Sequence, residues 1–383
     1  MTIELCALLT YMIKEGKASK NKMHKEKTVF ITGATGLLGS YLLKILLQNG
    51  HKVYVLARPI AGKNARDRVT DILRFWDYKG STDKLIVLEG DVTKQDLGLS
   101  FQDTKLLKND IEEIYHSAAI TDLNSPLEEI RKANVEGTRN ILELSRTMAE
   151  KGRLFKVNHL STAFVYGDYT GVFKEQDLDV GQKFETNYEE SKFLAEKVVE
   201  EYRKKDLWVD VYRPSIVVGE SKTGKTFQFK HIYQFIRLLC LEIFDTLPIL
   251  GIKTSLVPVD ILSQAIYVIS QKAEEKNKNY HPFPQEPVSI EHLVTCAAKT
   301  FGFRKPKMVS LEDYPFRKLT PAQSAILRNS ILAVNFRIQL DAAYTNTLLQ
   351  NLKFLIAPLD DIILKNILKY FLERRQNSAL IQA

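Results

Sequence analysis

A β-branched apolar run that breaks into evenly spaced glycines is the feature that most restricts this chain: Thr28–Gly39 reads TVFITGATGLLG. Val29, Phe30, Ile31 and Thr32 form the continuous apolar stretch of a parallel strand covered on both faces. Gly33, Gly36 and Gly39 follow with G-x-x-G-x-x-G spacing as the chain turns into a helix. The first permits a tight turn, the second lets the backbone approach a pyrophosphate, and the third lets the helix pack on the strand. With Thr35, Leu37 and Leu38, they place the free N–H groups of a helix start around phosphates. Leu42, Leu43, Ile45, Leu46 and Leu47 give that helix its apolar face, and Asn49-Gly50 stops it. A second strand, Val53–Ala57, completes a βαβ unit that binds a dinucleotide.

The second strand ends at Arg58, 19 residues past Gly39. An NAD site places a carboxylate there for the ribose 2′-hydroxyl, whereas an arginine accommodates a 2′-phosphate. A guanidinium grips that dianion through paired, charge-assisted hydrogen bonds. Arg58, with Arg66 and Arg68 behind it, predicts NADP(H) over NAD(H). Lys84–Leu88 is the next strand, ending at Gly90-Asp91-Val92, where Asp91 can reach the adenine amino group. Ile111–His116 follows, and Ser117, Ala118 and Ala119 after it are small enough for a dinucleotide to lie on their backbone. A helix from about Leu127 to Met148 carries Asn134, a poor helix former, which suggests either a positional role or a surface asparagine. Phe155–Thr162 is a fifth strand.

Tyr188 and Lys192 stand at i and i+4 on one helical face. A free phenol titrates near 10, and a neighbouring ammonium, helped by the positive ring of an oxidised nicotinamide, lowers that value. The pair follows Thr162 by 26 residues, at the end of a strand placed beside the nicotinamide. Thr162, Tyr188 and Lys192 therefore form the candidate catalytic set.

Taken together, TGATGLLG, GDV, HSAA, NVEGT, STAFVYG and YEESK cover Thr28 to Gly219 in an order that resembles the extended branch of the short-chain dehydrogenase/reductase superfamily. The resemblance implies an α/β chain: a Rossmann domain with a doubly wound parallel sheet and a smaller, mostly helical C-terminal substrate region. It implies Thr162 as the catalytic hydroxyl, with Ser161 as substitute, Tyr188 as general acid/base, Lys192 as ribose ligand and Asn134 in support. Pro214 and Ser215 in RPSIVVGESKTG would flank the nicotinamide. That segment looks like the thioester-reductase and fatty acyl-CoA reductase (male-sterility-like) side of the branch. The implied activity is NADPH-dependent reduction of a CoA- or carrier-bound acyl thioester to aldehyde or alcohol. A sugar-nucleotide epimerase/dehydratase or a hydroxysteroid-like alcohol dehydrogenase would use the same residues. An NADP-sensing protein would not need a tuned phenol.

The chain divides into 1–26 as a flexible extension, 27–225 as the Rossmann domain and 226–383 as the substrate-binding and helical region, with 253–285 expected to return to the Rossmann domain. Phe227–Leu250 is rich in large apolar residues, which suit either an acyl substrate or the core contacts of a helix. Two further helices are expected around Ala322–Tyr344 and Asp360–Leu372, as a cleft cover, a homodimer contact or a membrane-surface element. The 383 residues carry a net charge of +8, of which Lys14–Lys27 contributes six Lys against two Glu. The rest is dispersed, against a nucleic-acid footprint. Three scattered cysteines fit a reducing, cytoplasmic setting, and the seven histidines show no metal-ligand spacing. The apolar patch in Glu4–Ile13 precedes its basic residues, the reverse of a signal peptide, and is too short to span a bilayer. An acyl carrier protein would be a separate chain.

Overall fold

The computed structural model describes residues 25–122, 125–332 and 339–381; the apolar patch and basic run before residue 25 lie outside them. The five expected strands lie in one parallel sheet, which two further strands extend to seven. In chain order they are β1 (Thr28–Thr32), β2 (Lys52–Ala57), β3 (Leu85–Glu89), β4 (Glu113–His116), β5 (Lys156–Leu160), β6 (Val209–Tyr212) and β7 (Asn279–Tyr280). Their spatial order is β7-β6-β5-β4-β1-β2-β3, with every neighbouring pair parallel. The strand sequence reverses direction between β1 and β4, so a crevice opens there at the carboxyl edge, the place where doubly wound sheets bind ligands.

The sheet is covered on both faces because adjacent strand residues point opposite ways. Val29 and Ile31 of β1 enter one core, beneath α1 (Leu37–Gln48) and α2 (Ala65–Phe75), while Phe30 enters the other. On that second face lie α3 (Phe101–Asp110), α5 (Gly137–Ala149) and α6 (Asn187–Arg203). The long helix expected from Leu127 is segmented. α4 (Leu127–Arg131) runs into a π-helical turn, Lys132–Glu136, before α5 begins.

The C-terminal half builds a separate core. Here α7 (Ile232–Leu239) packs with α9 (Ile290–Phe301), α10 (Pro321–Leu332) and α12 (Asp361–Ile381). The chain between them returns to the first core through α8 (Val259–Lys272), whose Leu262, Ala265, Ile266 and Ile269 pack there, and through β7. The helix expected around Ala322–Tyr344 is interrupted instead: α10 ends at Leu332, and Gln339–Leu340 pairs as a short strand with Val172–Phe173. The following α11 (Ala343–Asn351) presents Thr345 to the buried Glu175. Pairing and capping by Glu175 outcompete local helix propensity in that stretch. Among the described residues, no helix is long and apolar enough to cross a membrane.

Candidate active site

The crevice is floored by the glycine turn. A Cβ at Gly33, where φ is +73°, would sit 2.5 Å from the backbone of Ser117 and Ala118. One at Gly39 would sit 2.3 Å from the Gly33 carbonyl oxygen. These glycines hold three backbones closer than any side chain permits. Gly36 caps α1 without a side-chain hydrogen bond, so the first N–H groups of the helix are left for an acceptor from outside the chain. Leu37, Leu38 and Gly39 line the cleft beside them.

Two adjoining hollows share Gly36, Ser117 and Ala119. The first reaches along β2 and β3, with Gly33, Thr35, Arg58, Arg68, Asp91, Val92 and Ala118 in its wall. Arg58 approaches Asp91 at 3.5 Å, and its side chain stays 62% exposed. Arg68 donates to the Arg58 carbonyl and, at 3.3 Å, to the Thr35 hydroxyl. Burial and the Arg58 charge hold the Arg68 guanidinium below its ordinary value. Burial pushes the Asp91 carboxyl up, but hydrogen bonds from Thr93 and the Arg58 charge outweigh it, and the carboxyl lies below its ordinary range.

The second hollow is lined by Thr162, Tyr188, Lys192, Pro214 and Ser215. Thr162 stands just past β5 and Tyr188 in the first turn of α6, whose start is fixed by a capping box between Thr186 and Glu189. Burial pushes the phenol up to about 12; a hydrogen bond with Thr162 opposes the rise and Glu189 adds to it. Lys192 Nζ donates to the Leu160 carbonyl at 2.8 Å, and burial brings it down to about 8, against the pull of Glu196. The lowering of the phenol that the i,i+4 spacing suggests is therefore absent from the protein alone, where desolvation dominates; the contribution of a nicotinamide's charge would have to come with the cofactor. At neutral pH the phenol is a proton donor.

Asn134 is behind this hollow. From the π-helical turn its amide accepts from Ile120 N at 2.7 Å and donates to the Ile120 carbonyl at 3.0 Å and to Ser191 Oγ at 2.9 Å. It thus fastens the loop after β4 to α6 one residue before Lys192. π-turns recur where a helix is bent for such a purpose, and the low helix propensity of asparagine is the signal the sequence offers for it. Ser161, adjacent to Thr162, is engaged elsewhere: its hydroxyl binds Glu196, which also holds the buried Arg213 through Nε and Nη2. A glutamate four residues past Lys192 is visible in SKFLAE, but its buried arginine partner requires the fold. Lys230 also escapes the sequence motifs; it reaches across the second hollow to Thr121 Oγ1 at 2.9 Å from a loop without motif signal.

The cleft fits a nicotinamide dinucleotide on three counts. The uncapped helix start faces it, the glycine cradle leaves no room for side chains, and the buried Ser215 hydroxyl has no partner in the protein. Fold and site together define an NAD(P)-dependent oxidoreductase of the extended short-chain dehydrogenase/reductase type. Residues 31–266 match the male sterility protein family, and the chain belongs to it.

Its relatives are mostly much longer. It is 30% identical over 280 residues to the nonribosomal peptide synthetase asaC of Aspergillus flavus, covering 68% of this chain and 26% of that protein. It is 27% identical over 322 residues to the L-2-aminoadipate reductase large subunit of Penicillium chrysogenum, covering 76% and 22%. The chain spans about a quarter of the length of these two curated relatives. Among solved structures, the terminal R domain of the myxalamid PKS-NRPS pathway superposes with a TM-score of 0.77 at 24% identity, covering 91% of both chains. The NAD complex of UDP-glucuronic acid 4-epimerase from Bacillus cereus gives 0.64 at 20% identity, covering 90% of this chain and 96% of that one.

Proposed function

We propose that this chain is an NADPH-dependent reductase that converts an acyl thioester, carried by coenzyme A or by a carrier protein, to the aldehyde. The observation that carries the proposal is the large apolar share of the hollow that holds Thr162 and Tyr188. It is lined by Phe164, Ile216, Val217 and Tyr233, beside Gln228, Lys230 and His231. A sugar-diphosphate pocket calls for clustered arginines, and among the described residues no arginine lines this hollow. The naming of relatives as peptide synthetases and an aminoadipate reductase favours the same substrate class. The apolar run from Phe227 divides between two roles: Tyr233 faces the hollow, while Phe235, Ile236 and Leu239 fill the second core.

When bound, a reduced nicotinamide supplies the hydride. Thr162 and Tyr188 aim their hydroxyls at the position where the thioester oxygen gathers negative charge, and such preorganised donors are worth several kcal/mol in a dry site. Tyr188, protonated at neutral pH, gives its proton to that oxygen. The hemithioacetal so formed releases the thiol and leaves the aldehyde. Lys192, held by the Leu160 carbonyl, binds the ribose hydroxyls, and Glu196 keeps its charge from falling further. Arg58 and Arg68 flank the ribose end and bind a 2′-phosphate, which favours NADPH. The test is stoichiometric: NADPH consumption with an acyl-CoA must release one free thiol per aldehyde, and consumption without thiol release would refute the thioester assignment.

A further inference from the structure

A second set of chemically distinctive side chains lies far along the chain from the cleft residues. His292 and Cys296 occupy i and i+4 of α9, so they share one face. Asp361, the first residue of α12, meets them from the neighbouring helix. His292 Nε2 lies 2.7 Å from Asp361 Oδ1 and 3.6 Å from Cys296 Sγ. All three donor atoms fall within 4.8 Å of one another. Nothing in the reductase chemistry uses them.

We propose that His292, Cys296 and Asp361 bind a divalent cation of the zinc type, which ties α9 to α12. The donor set is an imidazole, a thiol and a carboxylate, the mixture that zinc accepts and that calcium and magnesium do not. Geometry supports the assignment. Zinc bonds of about 2.05 Å to nitrogen and about 2.3 Å to sulfur, at the tetrahedral angle, require a nitrogen–sulfur separation of about 3.6 Å. That is the separation His292 and Cys296 show. Nitrogen and carboxylate oxygen would need about 3.4 Å, so the Asp361 carboxylate must withdraw by roughly 0.7 Å from the 2.7 Å contact it now makes. Its side chain is 78% exposed and free to do so. The same exposure leaves the fourth position to water, as in three-ligand sites.

The site has a structural consequence. Leu364, Ile367, Leu368 and Phe371 bury α12 in the second core. Between them Asn366 donates to the Ser221 carbonyl at 3.1 Å, and its own carbonyl backs onto Gly224. Helix α12 thus braces the loop that follows Pro214–Val218 in the cleft wall. A cation at Asp361 fixes the outer end of that brace without touching the reacting groups.

The experiment uses the full chain, freed of metal by a chelator and titrated with Co²⁺ under reducing conditions. We expect one equivalent to bind with a thiolate-to-cobalt charge-transfer band and the intense ligand-field bands of a tetrahedral site, both displaced by Zn²⁺. Cys296→Ser removes the charge-transfer band, Asp361→Asn weakens binding at least tenfold, and Cys6→Ser with Cys240→Ser leaves both unchanged. Zn²⁺ at a hundredfold excess over its dissociation constant raises the unfolding midpoint by roughly 3 °C in the unaltered chain and not in Cys296→Ser. No charge-transfer band at a tenfold excess of Co²⁺, or a band that survives Cys296→Ser, would overturn the proposal. Either result is independent of reductase activity.

Discussion

Gly33→Ala, compared with Gly50→Ala, separates two costs that glycine substitution usually confounds. Both glycines adopt the left-handed backbone, with φ of +73° and +79°. A Cβ in that region costs about 1–2 kcal/mol, and Gly50, with nothing within 4 Å of its Cβ position, incurs that alone. At Gly33 the added carbon meets Ser117 and Ala118 backbone atoms at 2.5–2.6 Å. Those atoms belong to the crevice floor and have no rotamer to change, so overpacking adds about 1–3 kcal/mol. The total of about 2–5 kcal/mol remains within the 5–15 kcal/mol stability of an ordinary domain, and the variant should fold. The strain is relieved by parting β1 from the segment after β4, which moves the surface on which the dinucleotide lies. We therefore expect urea unfolding to show Gly33→Ala about 1–3 kcal/mol less stable than Gly50→Ala. Fluorescence titration should show NADPH affinity reduced about tenfold or more in Gly33→Ala, since each tenfold corresponds to about 1.4 kcal/mol, and unchanged in Gly50→Ala. Equal stability and equal affinity in the two variants would refute the close-approach reasoning.

Tyr188→Phe should lower kcat at least a thousandfold while NADPH affinity changes less than threefold, because the phenol acts on the reacting oxygen; retained turnover would remove its role. Lys192 titrates at about 8, protonated below and neutral above. The value of kcat/KM for NADPH should accordingly fall as pH rises through about 8, and Lys192→Arg should push that limb upward, since a guanidinium does not titrate there. A limb unmoved by that substitution would assign it to another group. Arg58→Asp should weaken NADPH binding tenfold or more and NADH binding little, measured by competition; equal losses would place Arg58 away from the 2′-phosphate.

The elements around the cofactor are legible in the sequence because their signals are local. TVFITGATGLLG contains its own strand, turn and helix start, and Tyr188 and Lys192 declare a shared face by spacing alone. Arg58 can be read from strand length. What escapes depends on contacts between distant segments. Glu196 has meaning only with Arg213 and Ser161, and Lys230 only with Thr121 across the cleft. The strand at Gln339–Leu340, where a helix is expected, depends on pairing with Val172–Phe173, a partner more than 150 residues away. The protein by itself does not lower the Tyr188 titration point, for a similar reason. Spacing places an ammonium nearby, but the fold aims it at Leu160 and buries the phenol. In the same way, counting histidines along the chain shows no metal spacing; His292 and Cys296 share a helix face by spacing, but Asp361 joins them only after two helices pack.

The most direct measurement is NADPH absorbance decay with the purified chain against acyl-CoAs, acyl-carrier proteins, aldehydes and UDP-sugars, with free thiol followed in parallel. Decay with an acyl thioester, one thiol released per aldehyde formed and both lost in Tyr188→Phe, is the expected result. Decay confined to aldehydes, or retention of bound cofactor with conversion of a UDP-sugar and no net oxidation, would contradict a thioester reductase.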